Sequence, residues 1–209
     1  MEKRAVKSMV KDEKLIETRR SQIIKSAVTL FKEKGFHRTT TREIAKEAGF
    51  SIGTLYEYIR EKEDILYLVS DFIYDQFRVR MEEEASSNLK SLDLLHLVIS
   101  SYFKLVDDKQ DEMLVMYQEA KSLSKKSLPY VLKKELQLCA IFEKILTRCV
   151  EEGHFALSEK EIKAAAHNIL VFGQMWAFRR WALRSIYTIE EYTNIQMEFI
   201  MKGISKNNK

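Results

Sequence analysis

Turn chemistry is scarce in this chain. Its 209 residues hold one proline, Pro129, and six glycines. A β-rich domain shows a turn signal roughly every 8–12 residues, so the scarcity excludes a sheet protein and predicts an all-α fold. Cysteine is limited to Cys139 and Cys149, with no C-x-x-C spacing. That excludes a disulfide framework or a zinc ribbon, and reduced core thiols are expected. The histidines, His37, His96, His154 and His167, are scattered and form no ligand pair, so neither a metal site nor a cofactor is expected. No apolar run reaches the ~18 residues of a membrane span. The N-terminus lacks a hydrophobic signal region, so a cytoplasmic protein is expected. Paired carboxylates with a cleft signature, a Cys/His dyad and a phosphate-binding loop are also missing. A small helical enzyme is therefore the remotest reading.

What is present is charge, unevenly placed. Residues 1–62 carry 15 lysines and arginines against 9 acidic residues, and the remainder carries 20 against 22. The basic balance belongs to the N-terminal end, as a surface that neutralises phosphates requires.

Within that end, residues 39–62 read as two short helices joined by a tight turn. Thr40 and Glu43 form a T-x-x-E capping box that opens the first. Ile44, Ala45 and Ala48 mark its apolar face, and Gly49 ends it in a position that favours a left-handed residue. Ser51 is the N-cap of the second helix, with Leu55 and Ile59 inward. This is the sequence form of a helix-turn-helix, whose second helix enters the DNA major groove.

The stretch resembles the DNA-binding domain of the TetR family of bacterial regulators. The match runs back through Phe36, Gly35, Phe31, Leu30, Ala27 and Ile24. It runs forward through Thr54, Leu55, Tyr56, Tyr58, Lys62 and Glu63. The resemblance implies a helix-turn-helix head at 18–62 behind a flexible basic arm at 1–17, and a ligand-binding and dimerisation domain at 63–209. About nine helices are expected in all, the first near 18–34.

DNA contacts are expected from Thr41, Arg42, Ser51, Ile52, Gly53, Thr54, Tyr56, Tyr58 and Lys62. Thr41 sits at a helix N-terminus suited to a phosphate. The Arg42 fork suits guanine O6 and N7. Gly53 lets backbone approach DNA, Thr54 can bond a phosphate or touch a thymine methyl, and an exposed Ile52 can touch a thymine methyl. The resemblance implies that Tyr56 and Tyr58 bond phosphate oxygens, with a core role for either ring the competing reading. Lys62 matches the family's phosphate-contacting lysine. Glu61 departs from its usual Ser, Asn or Asp cap.

Beyond the head, helices are expected near 62–84, 89–107, 111–123, from Pro129 to 152, 159–184 and 189–204. Ser158 with Glu161 and Thr188 with Glu191 form two further capping boxes. Gly173, in mid-helix, suggests that another backbone approaches closely. The last helix is apolar almost all round, and the family's last two long helices form a dimer interface. Two recognition helices related by a two-fold axis read a palindrome.

A small hydrophobic effector is implied. Phe72, Phe103, Met113, Met116, Tyr117, Phe142, Phe172 and Trp176 are candidates to line its cavity. His96, Gln118, Arg148, His167 and Asn168 are candidate polar anchors. The runs 116–123 and 178–192 resemble members that control fatty-acid metabolism and answer to acyl-CoA, and Arg179, Arg180 and Arg184 could neutralise a CoA phosphate. The expected function is that of a repressor released from its operator by the effector. The alternative is a DNA-binding dimer controlled by a protein partner, or by nothing, with a filled core.

Overall fold

Asp12 starts the first helix. Its carboxylate accepts the Leu15 N–H at 3.1 Å, and α1 runs Glu13–Lys34. The expected start near residue 18 is corrected by that cap, whose Asp-Glu pair is itself a start signal. The arm expected over 1–17 is shortened to match. The computed structural model describes residues 6–204, and residues 1–5 of the arm lie outside the described residues.

Nine more helices follow among the described residues. They are α2 (Thr41–Glu47), α3 (Ile52–Tyr58), α4 (Lys62–Ala85), α5 (Ser91–Asp108), α6 (Gln110–Glu119), α7 (Leu128–Glu151), α8 (Glu159–Phe178), α9 (Arg180–Leu183) and α10 (Ile189–Ile204). A 3-10 turn, Ala120–Ser122, finishes α6. The long helix expected over 159–184 breaks at Arg179, which leaves helical geometry at φ −112°, ψ 21°. Nothing local forbids its continuation. Trp176 Nε1 and Arg184 Nη2 both donate to Asp107 Oδ1, at 2.8 and 2.9 Å, and that shared acceptor draws the chain into a tighter turn.

Contacts divide the chain into two units. The first is Met1–Tyr74 with Asp111–Lys134, the second Asp75–Gln110 with Glu135–Lys209. In the first unit, α1 packs on α2 and α3 over Ile23, Ala27, Phe31, Ile44, Leu55 and Ile59. The same unit holds a buried ion pair between Lys134 and Asp71, and Asp71 also accepts the Tyr130 hydroxyl at 3.0 Å. A charge pair at that depth persists only when its partners are well placed.

The second unit is built on rings. Tyr102 lies edge-on to Phe77, Phe103 and Phe142, and Tyr192 packs on Phe103 and Trp176. Their polar tips are satisfied: Tyr102 donates to Leu170 O at 3.0 Å and Tyr192 to Phe172 O at 2.8 Å. The free thiols Cys139 and Cys149 are buried, and desolvation pushes the Cys139 thiol up to about 11. The expected capping boxes at Ser158 and Thr188 both form. Glu152 closes the start of α5, accepting the Ser91 N–H at 3.3 Å and the Ser91 hydroxyl at 2.6 Å. No described helix is long and apolar enough to cross a membrane.

Gly173 makes room for a ring and not for a backbone. A Cβ there would stand 2.4 Å from Tyr102 Cε1 and 3.1 Å from Phe103 Cδ1. Helix propensity alone favours Gly173→Ala by ~1 kcal/mol. Tyr102 is tied by its hydroxyl and cannot withdraw, so overpacking wins. A net loss of about 1–3 kcal/mol is expected, seen as a lower urea midpoint at unchanged slope. A neutral or raised midpoint would show that Tyr102 yields.

Candidate nucleic-acid interface

Two short helices need strong caps, because neither has the length to stand alone. At α2, Thr40 Oγ1 accepts the Glu43 N–H at 3.2 Å, and Glu43 Oε2 accepts the Thr40 N–H at 2.8 Å. The Lys34 ammonium bonded to Glu43, followed by the two Thr40 bonds, holds the Glu43 carboxyl down to about 2. At α3, Ser51 Oγ accepts the Thr54 N–H at 3.0 Å and pairs with the Thr54 hydroxyl at 2.9 Å. Leu55, Tyr58 and Ile59 are buried beneath.

The outer face holds most of the expected DNA contacts. Arg42, Ser51 and Gly53 are exposed, and Thr41, Ile52 and Thr54 half-buried. Tyr56 is 43% exposed, and its hydroxyl meets Thr41 Oγ1 at 3.1 Å, so two expected phosphate donors form one pair bridging α2 and α3. No carboxylate of the described residues engages Arg42. Arg38 and Arg60, missed in the sequence, stand in the same condition on the turns flanking the motif.

Two expected contacts are corrected. Tyr58 is only 3% exposed and belongs to the core. It lies three residues beyond Leu55, on the same helix face, a spacing that outweighs the polar tip. Lys62 does not present itself to a phosphate either. Its Nζ donates to Phe36 O at 2.9 Å, Thr39 O at 3.1 Å and His37 O at 3.3 Å, and stands 4.2 Å from the Phe36 ring centroid. All three donors of the ammonium are committed. The missing cap at Glu61 is supplied from inside the helix, where buried Asp64 accepts the Arg60 and Glu61 N–H groups at 3.0 and 3.3 Å.

The α1–α2 turn is thus gripped by Lys62 of α4, and it is gripped again by α6. Gly35 ends α1 at φ 78°, and a Cβ there would crowd Glu119 Oε1 at 3.3 Å. That oxygen accepts the Phe36 N–H at 2.9 Å. Glu119 Oε2 accepts the Ser122 hydroxyl at 3.2 Å, and Ser122 Oγ shares a hydrogen bond with His37 Nε2 at 3.0 Å. Glu119 was not legible as a contact, because its partner lies 83 positions away.

The eight candidate effector-lining residues do not share one environment. Phe72, Met113, Met116 and Tyr117 belong to the first unit, and Phe103, Phe142, Phe172 and Trp176 to the second. Phe103, Phe142 and Trp176 are packed into the ring cluster, and Met113 and Met116 are buried. Tyr117 is corrected: it is 67% exposed, turned about 100° round the helix from Met116. Phe172 lines a cavity of about 300 Å³ between α8 and α10, together with Asn168, Ala164 and Phe199. Arg148 is bound to Glu152 and Leu89 O, Gln118 and His167 are exposed, and His96 Nε2 is buried with no partner among the described residues. Of the three arginines, Arg184 is bound to Asp107 and Arg179 lies over the Trp181 ring. No group of three or more His, Cys, Asp or Glu among the described residues could hold a metal.

Comparison with known proteins agrees with this geometry. A family model described as bacterial regulatory proteins, tetR family, matches residues 23–67, and one described as tetracyclin repressor-like, C-terminal domain, matches 88–181. The HTH-type transcriptional regulator HbdR of Aromatoleum sp. (strain CIB) is 30% identical over 188 residues, spanning 90% of this chain and 81% of that protein. The fatty acid metabolism regulator protein of Bacillus subtilis (strain 168) is 28% identical over 188 residues, 88% of this chain and 94% of its own. Among solved structures, a tetR-family regulatory protein from Rhodococcus RHA1 superposes with a TM-score of 0.81 at 22% identity, covering 90% of this chain and 97% of that one. The FadR regulator from Bacillus subtilis in complex with stearoyl-CoA gives 0.71 at 28% identity, covering 88% and 98%.

Lys62 and Arg42 are expected to fail in opposite ways. Lys62→Met leaves three carbonyls without their cation and lowers stability by about 1–2 kcal/mol, the low end because the ammonium is half-buried. Arg42→Ala leaves stability unchanged and loses about 1–3 kcal/mol of discrimination at one base pair. Denaturant unfolding and a base-by-base binding series separate the two. Equal unfolding losses in both variants would contradict the assignment.

Proposed function

The chain belongs to the tetR family of bacterial regulatory proteins, and on that premise we propose that it is a dimeric cytoplasmic repressor, released from a palindromic operator by a fatty acyl-CoA. It is a DNA-binding regulator and not an enzyme. The observation that carries the DNA reading is the uncommitted Arg42 guanidinium beside the Thr41–Tyr56 hydroxyl pair and the exposed Gly53. The pair suits phosphate oxygens and fixes register, and the fork reads a base edge. Val171, Ile195 and Phe199 stand 47%, 37% and 61% exposed on α8 and α10, an apolar face for the second copy. The cavity beside Phe199 belongs to that face.

The acyl-CoA reading is supported by what two relatives' names say of them, a fatty acid metabolism regulator and a regulator solved in complex with stearoyl-CoA. The route from effector to operator is the grip on the α1–α2 turn. Lys62 and Glu119 hold that turn from α4 and α6, so an effector that favours another placement of either helix disfavours the presented head. Operator affinity then falls by the ligand's differential affinity for the two states. One observation favours a second reading. Phe103, Phe142 and Trp176 are packed and Trp176 is hydrogen-bonded at its tip, as a regulator without a small-molecule pocket would have them.

Selection of bound duplexes from a random DNA pool is expected to enrich a palindrome, whose binding weakens steeply with salt. Stearoyl-CoA is expected to release it, and free CoA to leave it bound. No enriched sequence would contradict the regulator reading. Retention at every acyl length would favour the filled-core alternative.

A further inference from the structure

At seven residues, α3 is too short to keep its own conformation, so its C-terminal end must be fixed from outside. Its last carbonyls are not left to solvent. Glu57 O accepts the Met9 N–H at 2.8 Å and the Ser8 hydroxyl at 2.9 Å. Tyr58 O accepts Arg20 Nη2 at 3.1 Å and Arg20 Nε at 3.3 Å. Arg20 Nη2 also donates to Val6 O at 2.6 Å, and Ser8 Oγ accepts the Val10 N–H at 3.2 Å. One guanidinium on α1 therefore ties the chain before α1 to the end of the recognition helix. Burial alone does not account for the arrangement, because Lys7 and Met9 are exposed, Met9 at 81%, and Val6, Ser8 and Val10 are only half-buried. What holds the segment is its bonds to α3 and to Arg20.

We infer that residues 6–10 are a strap that fixes the recognition helix, with Arg20 as its positioning residue, so that operator affinity depends on a segment with no need to touch a base. The inference rests on the DNA-binding reading and goes beyond it. Loss of the strap lowers the fraction of heads with α3 in its binding position, and apparent affinity falls by that fraction. Two hydrogen bonds to one carbonyl, at the lower net strengths of exposed partners, correspond to about tenfold. Lysine cannot replace Arg20, since a single ammonium lacks the planar fork that serves Tyr58 O twice and Val6 O once.

The test uses the full-length chain. Ser8→Ala with Met9→Pro removes both donors to Glu57 O and changes no charge. Affinities are measured by fluorescence anisotropy on the selected operator and on a scrambled duplex, across a salt series. The expected result is about tenfold weaker operator binding, with scrambled-duplex affinity and salt slope unchanged. Arg20→Lys, which keeps the charge, is expected to show the same operator-selective loss. It also serves as the deciding variant if circular dichroism shows that Met9→Pro has lost helix. Operator affinity within about twofold of wild type in a folded variant would overturn the strap. So would equal losses on both duplexes, the mark of a merely structural defect. Wild-type binding is the control that separates the two claims. Its absence overturns the DNA reading and the strap with it, whereas its presence beside an unaffected variant overturns the strap alone.

Discussion

The DNA-binding head depends on how one turn is held. Between α1 and α2 the chain reverses over Gly35 to Thr40, and its carbonyls at Phe36, His37 and Thr39 all point to the Lys62 ammonium. On the same turn the Phe36 N–H points to the Glu119 carboxylate. Charged hydrogen bonds are the stronger kind, and here both ends of one peptide segment are met by opposite charges from two helices. The turn sets where α2 begins, the Thr40–Glu43 box sets how it begins, and α3 follows from the Ser51 cap. The spacing between Arg42 and the hydroxyl pair is a consequence of those fixed points.

Much of this was legible in the sequence because it is local. A capping box reports two hydrogen bonds three residues apart, and the boxes at Thr40, Ser158 and Thr188 all form. Gly35 and Gly49 end their helices at φ 78° and 74°. In α1, Ile24, Ala27 and Phe31 recur at helical spacing and are buried. Long-range pairings were not legible. Lys62 carries the residue type of a phosphate contact, and only the fold reveals that its donors are spent on carbonyls 23 to 26 positions away. Tyr58 offers a hydroxyl and a ring, and burial decided for the ring. Glu119 and Arg20 have no local signature, since each acts on backbone that is distant in sequence.

Labour in the head is divided between an outer and an inner set of residues. Arg42, Gly53 and Tyr56 face outward, with Thr41 and Thr54 half-buried beside them, and these are the residues proposed to meet DNA. Lys62, Glu119, Asp64 and Arg20 face inward and spend their charges on backbone groups of the motif. A fixed scaffold of that kind costs no reorganisation on binding. The same bonds give α4 and α6 a direct hold on the head, the hold on which the proposed release by an effector rests.

That hold is open to direct observation. Amide hydrogen exchange at Phe36 reports whether the Glu119 bond is made, and exchange at Thr39 and Thr40 whether the turn that Lys62 grips stays closed, independently of any DNA. On addition of stearoyl-CoA the account predicts faster exchange across residues 36–40, with the amides inside α3 still protected. Operator release with exchange at the turn unchanged would contradict it.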